Sequence, residues 1–363
     1  MRTYVIAFLT CIAVIFAMGL LMVFNTTAAE VLDRSLERST HHALVKQILY
    51  AVVGGVGAAL VSFCGYRQIL RLSPFFLAIG TVLLILVFIP GIGQQINGAR
   101  RWVGVFGNSL QPSEFVKYLI PVYFIHVVCQ ATQPIKLGVF LRLMGTLSIP
   151  IGLILIEPDN GTVAIIMTTL VALFMLTKIK WSYWMLPLSL FVLCGVAIAS
   201  QMPHVSSRIQ IYLDPELDLK GKGHQPYQAK IAAGSGKLWG KGLGESLQKL
   251  DYLPEARSDY IAAIYAEEFG FIGMLGLLFA YMLLGLLGFF MAQRAVDLHG
   301  FYLIAILVFL ISFQAFLNLG VVSGLLPSKG TNLPFFSQGG SNLLASFMAV
   351  ALIINVTREK KYV

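Results

Sequence analysis

Several carboxylates stand at the entrance to a long apolar run, and they are the residues most able to carry chemistry. The stretch LPEARSDYIAAIYAEEFGF, residues 253–271, contains Glu255, Asp259, Glu267 and Glu268 in a chain of which only 12 % is charged. Asp259 directly precedes an apolar helix, so its carboxylate could cap the positive end of that helix, and its position alone favours this role. At a water–membrane boundary the same carboxylate could instead act as a general base for a hydroxyl group.

Glu267 and Glu268 have a different expected role. Adjacent residues on a helix diverge by about 100°, so these two side chains cannot both face one pocket. We predict that both form salt bridges or packing contacts with other parts of the chain.

Two shorter segments also place charges next to apolar runs. QPSEFVK puts Glu114 and Lys117 at positions i and i+3 of a predicted helix, where they could form a stabilising ion pair. Charges that enter a membrane span are costly and often functional, so we favour a role in a pocket for an anionic headgroup. EPDNGT, residues 157–162, is a short turn in which Glu157 and Asp159 could contact a cation or a sugar hydroxyl, or could simply form the turn.

Two further segments supply cations and glycines. Arg100 and Arg101 in NGARRW could contact lipid phosphates or have a role beyond topology. LPSKGTNLPFFSQGGSN, residues 326–342, could let backbone amides approach an oxyanion at the start of a helix, although a single pair of glycines is a weak signal. The candidate binding residues of this last segment are Lys329, Ser337, Gly339 and Gly340.

The elements that position these residues are predicted to be membrane-spanning helices. The composition is 57 % apolar and the mean hydropathy is +0.80, which is too apolar for a soluble domain. A span needs about 20 apolar residues. The candidate spans begin near Tyr4, Leu44, Ser73, Ser113, Val139, Gly161, Trp181, Tyr260, Gly300 and Gly339. We therefore predict an all-α polytopic protein of about ten spans, forming a single integral membrane domain over residues 1–363.

Charge distribution predicts the orientation of the bundle. Short basic connections favour the cytoplasmic side, and with the first span entering from the cytoplasm these connections fall inside. Both termini are then cytoplasmic, and most acids lie outside. The expected site is therefore extracytoplasmic.

One long extracytoplasmic loop, residues 201–258, is predicted between spans 7 and 8. Loops of this length are usually functional or disordered. Tyr212, Tyr227, Trp239 and Leu253 could bury against the bundle, so we expect an ordered loop rather than a charged tether.

Other classes of protein fit the sequence poorly. The four cysteines are isolated within apolar stretches, which indicates neither a disulfide framework nor a cysteine metal site. The net charge of +9 comes from scattered basic residues without a soluble module, so we expect no nucleic acid partner.

The segments NGARRW, QPSEFVK, EPDNGT, GLGESLQKLDYLPEARSDYIAAIYAEEFGFIG and LPSKGTNLPFFSQGGSN, taken in this order, resemble the motif set of the SEDS family of bacterial cell-wall glycosyltransferases. The resemblance is closer to the division branch, FtsW, than to the elongation branch, RodA. The chain departs from the usual pattern at Arg257, Ser258, Asn160, Gln338 and Asn342.

The resemblance implies a peptidoglycan glycosyltransferase that polymerises lipid II outside the cytoplasmic membrane. It makes Asp259 the essential carboxylate and gives roles to Glu114, Lys117 and Asp159. It also implies a class B penicillin-binding protein and other division proteins as partners. A divalent cation, Mg²⁺ or Mn²⁺, is compatible with this activity, and the sequence does not identify its ligands. No organic cofactor is expected.

Two other functions stay open. A transporter that flips lipid II would place polar sites near the bilayer midplane, often within inverted repeats, whereas most acids here cluster at one face. A scaffold of the division machinery would tolerate loss of the Asp259 carboxylate.

Overall fold

The computed structural model describes residues 1–33, 39–96, 99–105, 107–131, 134–200, 212, 218, 221, 223–250, 253, 255–327 and 330–359. Within these residues the chain forms a helical bundle with one small sheet. The helices are α1 (Arg2–Asp33), α2 (His42–Cys64), α3 (Tyr66–Leu86), α4 (Pro112–Gln130), α5 (Leu137–Ile156), α6 (Asn160–Leu176), α7 (Trp181–Ser200), α8 (His224–Ser235), α9 (Ile261–Gln293), α10 (Leu298–Val322) and α11 (Gly340–Arg358).

The prediction of an all-helical, polytopic membrane protein is confirmed. Seven described helices are long and apolar enough to cross a bilayer, namely α1, α2, α3, α5, α9, α10 and α11. Helices α4, α6 and α7 lie where the remaining predicted spans begin, and α6 is a shorter apolar helix. The total of ten spans stays a prediction, as does the single domain over residues 1–363.

A small antiparallel sheet, which the sequence did not predict, joins α3 to α4. Its strands are β1 (Gly93–Ile96), β2 (Ala99–Val105) and β3 (Asn108–Leu110), in the order β1-β2-β3. We call this end of the bundle the sheet end. Helices α4, α6, α9 and α11 begin there.

The opposite end carries a cluster of charges that joins three helices. Arg67 at the start of α3 forms ion pairs with Asp297 at 3.2 Å and with Glu359 at 3.0 Å. The Tyr66 hydroxyl donates to Asp297 at 3.0 Å. Asp297 and Glu359 therefore meet at one place.

Helix α9 is broken at Gly270, whose backbone has φ of 65° and ψ of −166°. A segment of the long loop lies along this break: the Lys241 amide donates to the Glu267 carbonyl at 3.0 Å, and the Ile272 amide donates to the Leu238 carbonyl at 3.2 Å. We call residues 236–249 the clamp segment.

The clamp segment overturns one detail of the predicted loop packing. Leu253 is buried, as expected, but Trp239 is 79 % exposed. The glycines explain the difference, since a Cβ at Gly240 would lie 2.1 Å from the Glu268 carbonyl oxygen. The backbone itself packs on α9, and the Trp239 side chain is left outside. Most of residues 201–222 lie outside the described part of the chain.

Candidate active site

The charged pair of α4 is buried in the core of the bundle. Glu114 and Lys117 are 8 % and 1 % exposed and form an ion pair one helical turn apart. The Lys117 ammonium also donates to the Gln314 side-chain oxygen at 2.7 Å, and the Asn342 amide donates to Glu114 at 2.7 Å. Four charged and amide side chains from three helices thus form one connected network.

Asp159 is the residue directly before α6, and residues of both α4 and α6 bind its carboxylate. Its carboxylate accepts bonds from the Thr162 backbone amide at 3.2 Å and the Thr162 hydroxyl at 2.8 Å, which is the geometry of a helix cap. Ser113 and Gln111, at the start of α4, donate to the same carboxylate at 3.2 Å each. Asp159 therefore connects the starts of α4 and α6.

Asp259 lies at the sheet end, two residues before α9 begins. Its backbone carbonyl accepts a bond from the Asn318 side-chain amide at 2.8 Å. Its carboxylate lies against Gly330, where a Cβ would stand 2.7 Å from Oδ2. Within the described residues no hydrogen bond or ion pair engages this carboxylate, and capping of α9 by Asp259 is not observed.

The charges around Asp259 show that the separate motifs converge. Burial, and then the negative charges of Glu255, Glu114 and Asp159, raise the pKa of Asp259 to about 7, while Arg101 opposes the shift. A carboxyl group with a pKa near neutrality is suited to accept a proton at physiological pH.

Two amide side chains on α10, which the sequence analysis missed, connect these motifs. Gln314 donates to the Asn332 carbonyl at 2.8 Å, and Asn318 donates to the Thr331 carbonyl at 2.6 Å. They are spaced i and i+4, so they share one face of the helix. Asn318 fixes both Asp259 and the segment that packs on its carboxylate. The sequence feature that could have identified them is the presence of polar amide residues inside a long apolar run.

The two predicted arginines separate. Arg101 donates to the carbonyls of Glu157 at 3.0 Å and Pro158 at 2.7 Å, and so joins the sheet to the turn before α6. Arg100 is exposed on β2, because consecutive strand residues point to opposite faces. Arg101 therefore faces the charged cluster, whereas Arg100 faces away from it.

Glu157 is a second unusual acid on the same turn. It is 1 % exposed, and within the described residues neither carboxyl oxygen has a hydrogen-bond partner. Burial, and then the charge of Asp159, raise its pKa to about 8, with Arg101 opposing. Glu157 is therefore mainly protonated at neutral pH.

The last loop is held by contacts within the protein. The Ser337 hydroxyl accepts a bond from the Leu333 amide at 2.8 Å. A Cβ at Gly339 would stand 2.2 Å from the Asn332 side chain, and one at Gly340 would stand 2.7 Å from the Tyr50 ring. Packing thus explains these residues, and a binding role for them stays a prediction. The predicted residue Lys329 lies outside the described residues.

The described residues do not form a metal site of their own, since no three His, Cys, Asp or Glu side chains cluster in a way that could hold an ion. Mg²⁺ is commonly held by one or two carboxylates together with substrate phosphates. The Asp259 carboxylate fits a shared site of that kind.

Fold and site together define a polytopic helical membrane protein with a charged, partly buried site at one end of its bundle. The family model FtsW/RodA/SpoVE, described as cell cycle protein, matches residues 5–362. The chain belongs to this family, as its motifs predicted.

Individual relatives cover nearly the whole chain. The probable peptidoglycan glycosyltransferase FtsW of Trichlorobacter lovleyi is 35 % identical over 364 residues, covering 99 % of this chain and 94 % of that protein. Stage V sporulation protein E of Bacillus subtilis is 34 % identical over 348 residues, covering 95 % and 94 %.

Solved structures show the same architecture. A chain from the structure called "Structural coordination of polymerization and crosslinking by a peptidoglycan synthase complex" superposes with a TM-score of 0.78 at 25 % identity, covering 97 % of each chain. A mutant of the rod shape determining protein RodA from Thermus thermophilus superposes with a TM-score of 0.70 at 25 % identity, covering 97 % of this chain and 96 % of that one.

Proposed function

We propose that this protein is a peptidoglycan glycosyltransferase that polymerises lipid II, with Asp259 as its general base. The observation that carries this proposal is the setting of Asp259: a partly buried carboxylate fixed through its backbone, with a pKa of about 7, beside the charged residues of three other motifs. The names of the relatives support the same activity.

In the proposed reaction, Asp259 accepts the proton of the acceptor sugar's 4-hydroxyl as that oxygen attacks the anomeric carbon of the lipid-linked donor. The new bond joins the acceptor oxygen to the anomeric carbon, and the bond from that carbon to the pyrophosphate oxygen breaks. Direct attack inverts the anomeric centre, so an α-linked donor yields a β-linked glycan.

The leaving group needs cations rather than an acid. Pyrophosphate departs already ionised. The leaving group of an ordinary glycoside must instead be protonated by one of a pair of carboxylic acids. Positive charge near the site stabilises it. Arg101 and Lys117 are the described cations of the cluster, and Lys329 remains a candidate from sequence. When a divalent cation is bound, Asp259 and the phosphates would hold it, and it would offset the same charge.

The sheet end is proposed to face outward from the bacterial inner membrane. The basic residues of the opposite end support this orientation, since cytoplasmic connections carry an excess of Lys and Arg. These residues include Arg67, Lys136, Lys178, Arg294 and Arg358. Both termini are then cytoplasmic, and lipid II reaches Asp259 from the outer leaflet.

A class B penicillin-binding protein is the proposed partner, because a glycan polymerase needs a transpeptidase to cross-link its product. The solved complex described as coordinating polymerization and crosslinking supports this pairing. The relatives named FtsW favour a role in division, together with other division proteins.

The test is a polymerisation assay with purified protein and labelled lipid II in detergent, with and without the transpeptidase and a chelator. We expect Asp259→Ala to lower the rate by about 10²–10⁴-fold, the usual contribution of a general base. Polymerisation in detergent would also distinguish this function from transport, which needs a sealed membrane.

Glu245→Gln is the matched control, since Glu245 is an exposed acid of the same loop. It should keep the wild-type rate. Full-length glycan made by Asp259→Ala at the wild-type rate would refute the proposal.

A further inference from the structure

The clamp segment presents an apolar patch that the proposed chemistry does not use. The patch consists of Leu238, Trp239, Leu243 and Leu247, which are 59 %, 79 %, 54 % and 59 % exposed. These four residues fall within one short segment, and large exposed apolar side chains grouped in this way usually mark an interaction surface.

The patch is held in place from beneath. Glu267 is fully buried and accepts bonds from Lys241, from Ser246 and from the Gln248 amide at 3.3 Å. Glu268, 1 % exposed, pairs with Lys249 at 2.9 Å. Because these buried contacts fix the backbone of the clamp segment, its apolar side chains are directed outward by a rigid support.

The patch continues the exposed apolar surface of α9. Residues 261–268 of that helix are buried, and exposure begins at Phe271 and Ile272, which are 56 % and 47 % exposed. The Phe271 amide donates to the Lys237 carbonyl at 2.8 Å, so the clamp segment meets the helix where exposure begins.

Helix length places this junction in the bilayer. From Phe271 to Gln293, α9 measures about 34 Å at a rise of about 1.5 Å per residue, which already spans a hydrocarbon core of about 30 Å. Phe271 therefore lies at the edge of the hydrocarbon, and the patch lies at the boundary between headgroups and acyl chains. Tryptophan is enriched at that level.

We propose that the apolar patch is a membrane anchor that inserts into the phospholipid leaflet at the sheet end. Trp239 lies at the boundary between headgroups and acyl chains, and the leucines beside it contact the acyl chains. The exposed Lys237 reaches the lipid phosphates. The anchor fixes the clamp segment, and through it the break in α9, at a set depth. This inference needs the membrane-spanning fold and is independent of the proposed catalytic activity.

The test measures where Trp239 lies when the full-length protein is reconstituted in phosphatidylcholine–phosphatidylglycerol vesicles. Subtracting the emission of Trp239→Phe from that of the wild type isolates the Trp239 signal. Two quenchers are compared: phospholipids brominated near the headgroup end of their acyl chains, and iodide in the water. Trp184→Phe provides the reference for a tryptophan covered by protein, since Trp184 is 6 % exposed.

We expect the Trp239 signal to lose most of its intensity in brominated vesicles and to be blue-shifted, with little loss to iodide. Loss to iodide without loss to the brominated lipid would place the patch in water and overturn the proposal. Protection from both quenchers, as for Trp184, would mean that protein covers the patch, and would overturn it as well.

Discussion

Asp259 and Glu267 belong to the same short stretch of sequence, but the protein surrounds them with opposite kinds of neighbours. Glu267 is fully buried, and its charge is matched by Lys241 and by hydroxyl and amide donors of the clamp segment. Asp259 is held through its backbone carbonyl, and negative charges raise its pKa to about 7. A carboxylate whose charge is satisfied supports structure, whereas one held without such partners is available for proton transfer.

Exchanging each acid for its amide should separate the two roles most clearly. Asp259→Asn is expected to lower kcat by about 10²–10⁴-fold. Since the raised pKa means that folding disfavours the ionised form, the same change should leave the thermal midpoint equal to or above that of the wild type at about pH 8. Glu267→Gln should instead lower the midpoint. Polymerisation assays and thermal unfolding in detergent measure both, and a destabilised Asp259→Asn with normal kcat would contradict the contrast.

Glu268, the buried acid next to Glu267, tests the structural side of the comparison. Lys249→Met leaves Glu268 as an uncompensated buried charge, which is expected to cost about 3–5 kcal/mol of stability. The double variant Lys249→Met, Glu268→Gln should recover part of this loss. Denaturant unfolding of the purified protein checks the pair, and equal stability of the single and double variants would show that the ion pair is not coupled.

Asn318 tests whether fixing the backbone of Asp259 matters. Asn318→Leu removes the bonds to the Asp259 and Thr331 carbonyls. A small displacement of the base is expected to lower kcat by up to about 10²-fold with little change in KM. Phe316→Leu, an exposed position on the same helix, should have no effect. A change confined to KM would argue against a positioning role.

Glu255→Gln should give the smallest effect. The charge of Glu255 raises the pKa of Asp259, so its removal should lower that pKa. The midpoint of the pH–rate profile should therefore move to lower pH by a fraction of a unit, while the plateau rate stays the same. Glu245→Gln should leave the midpoint unchanged. An upward shift of the midpoint in Glu255→Gln would contradict the prediction.

Much of this arrangement could be predicted from the sequence because charges are rare in an apolar chain. Asp259, Glu114 and Lys117 stood out for that reason. Most starts of the helices followed from the lengths of the apolar runs, but α3 begins at Tyr66, before the predicted start near Ser73. The sheet could not be predicted, since β1 and β3 are short and gain their stability from pairing with β2. Gln314 and Asn318 were missed because an amide inside an apolar helix carries no charge to mark it.

The position of Trp239 was predicted wrongly for a different reason. Its apolar character indicates that something covers it but not whether that cover is protein or lipid. The backbone contact between Gly240 and Glu268 leaves the Trp239 side chain outside. That contact depends on the break at Gly270, and a single glycine within an apolar run does not predict a helix break.

The pH dependence of kcat/KM for lipid II polymerisation tests the central claim most directly. If Asp259 must be ionised to accept the proton, kcat/KM should rise with pH through a single midpoint near the pKa of about 7 and then level off. The residual activity of Asp259→Asn should lack that midpoint. A wild-type profile that is flat or falls across this range, or a midpoint that persists in Asp259→Asn, would contradict the assignment of Asp259 as the base.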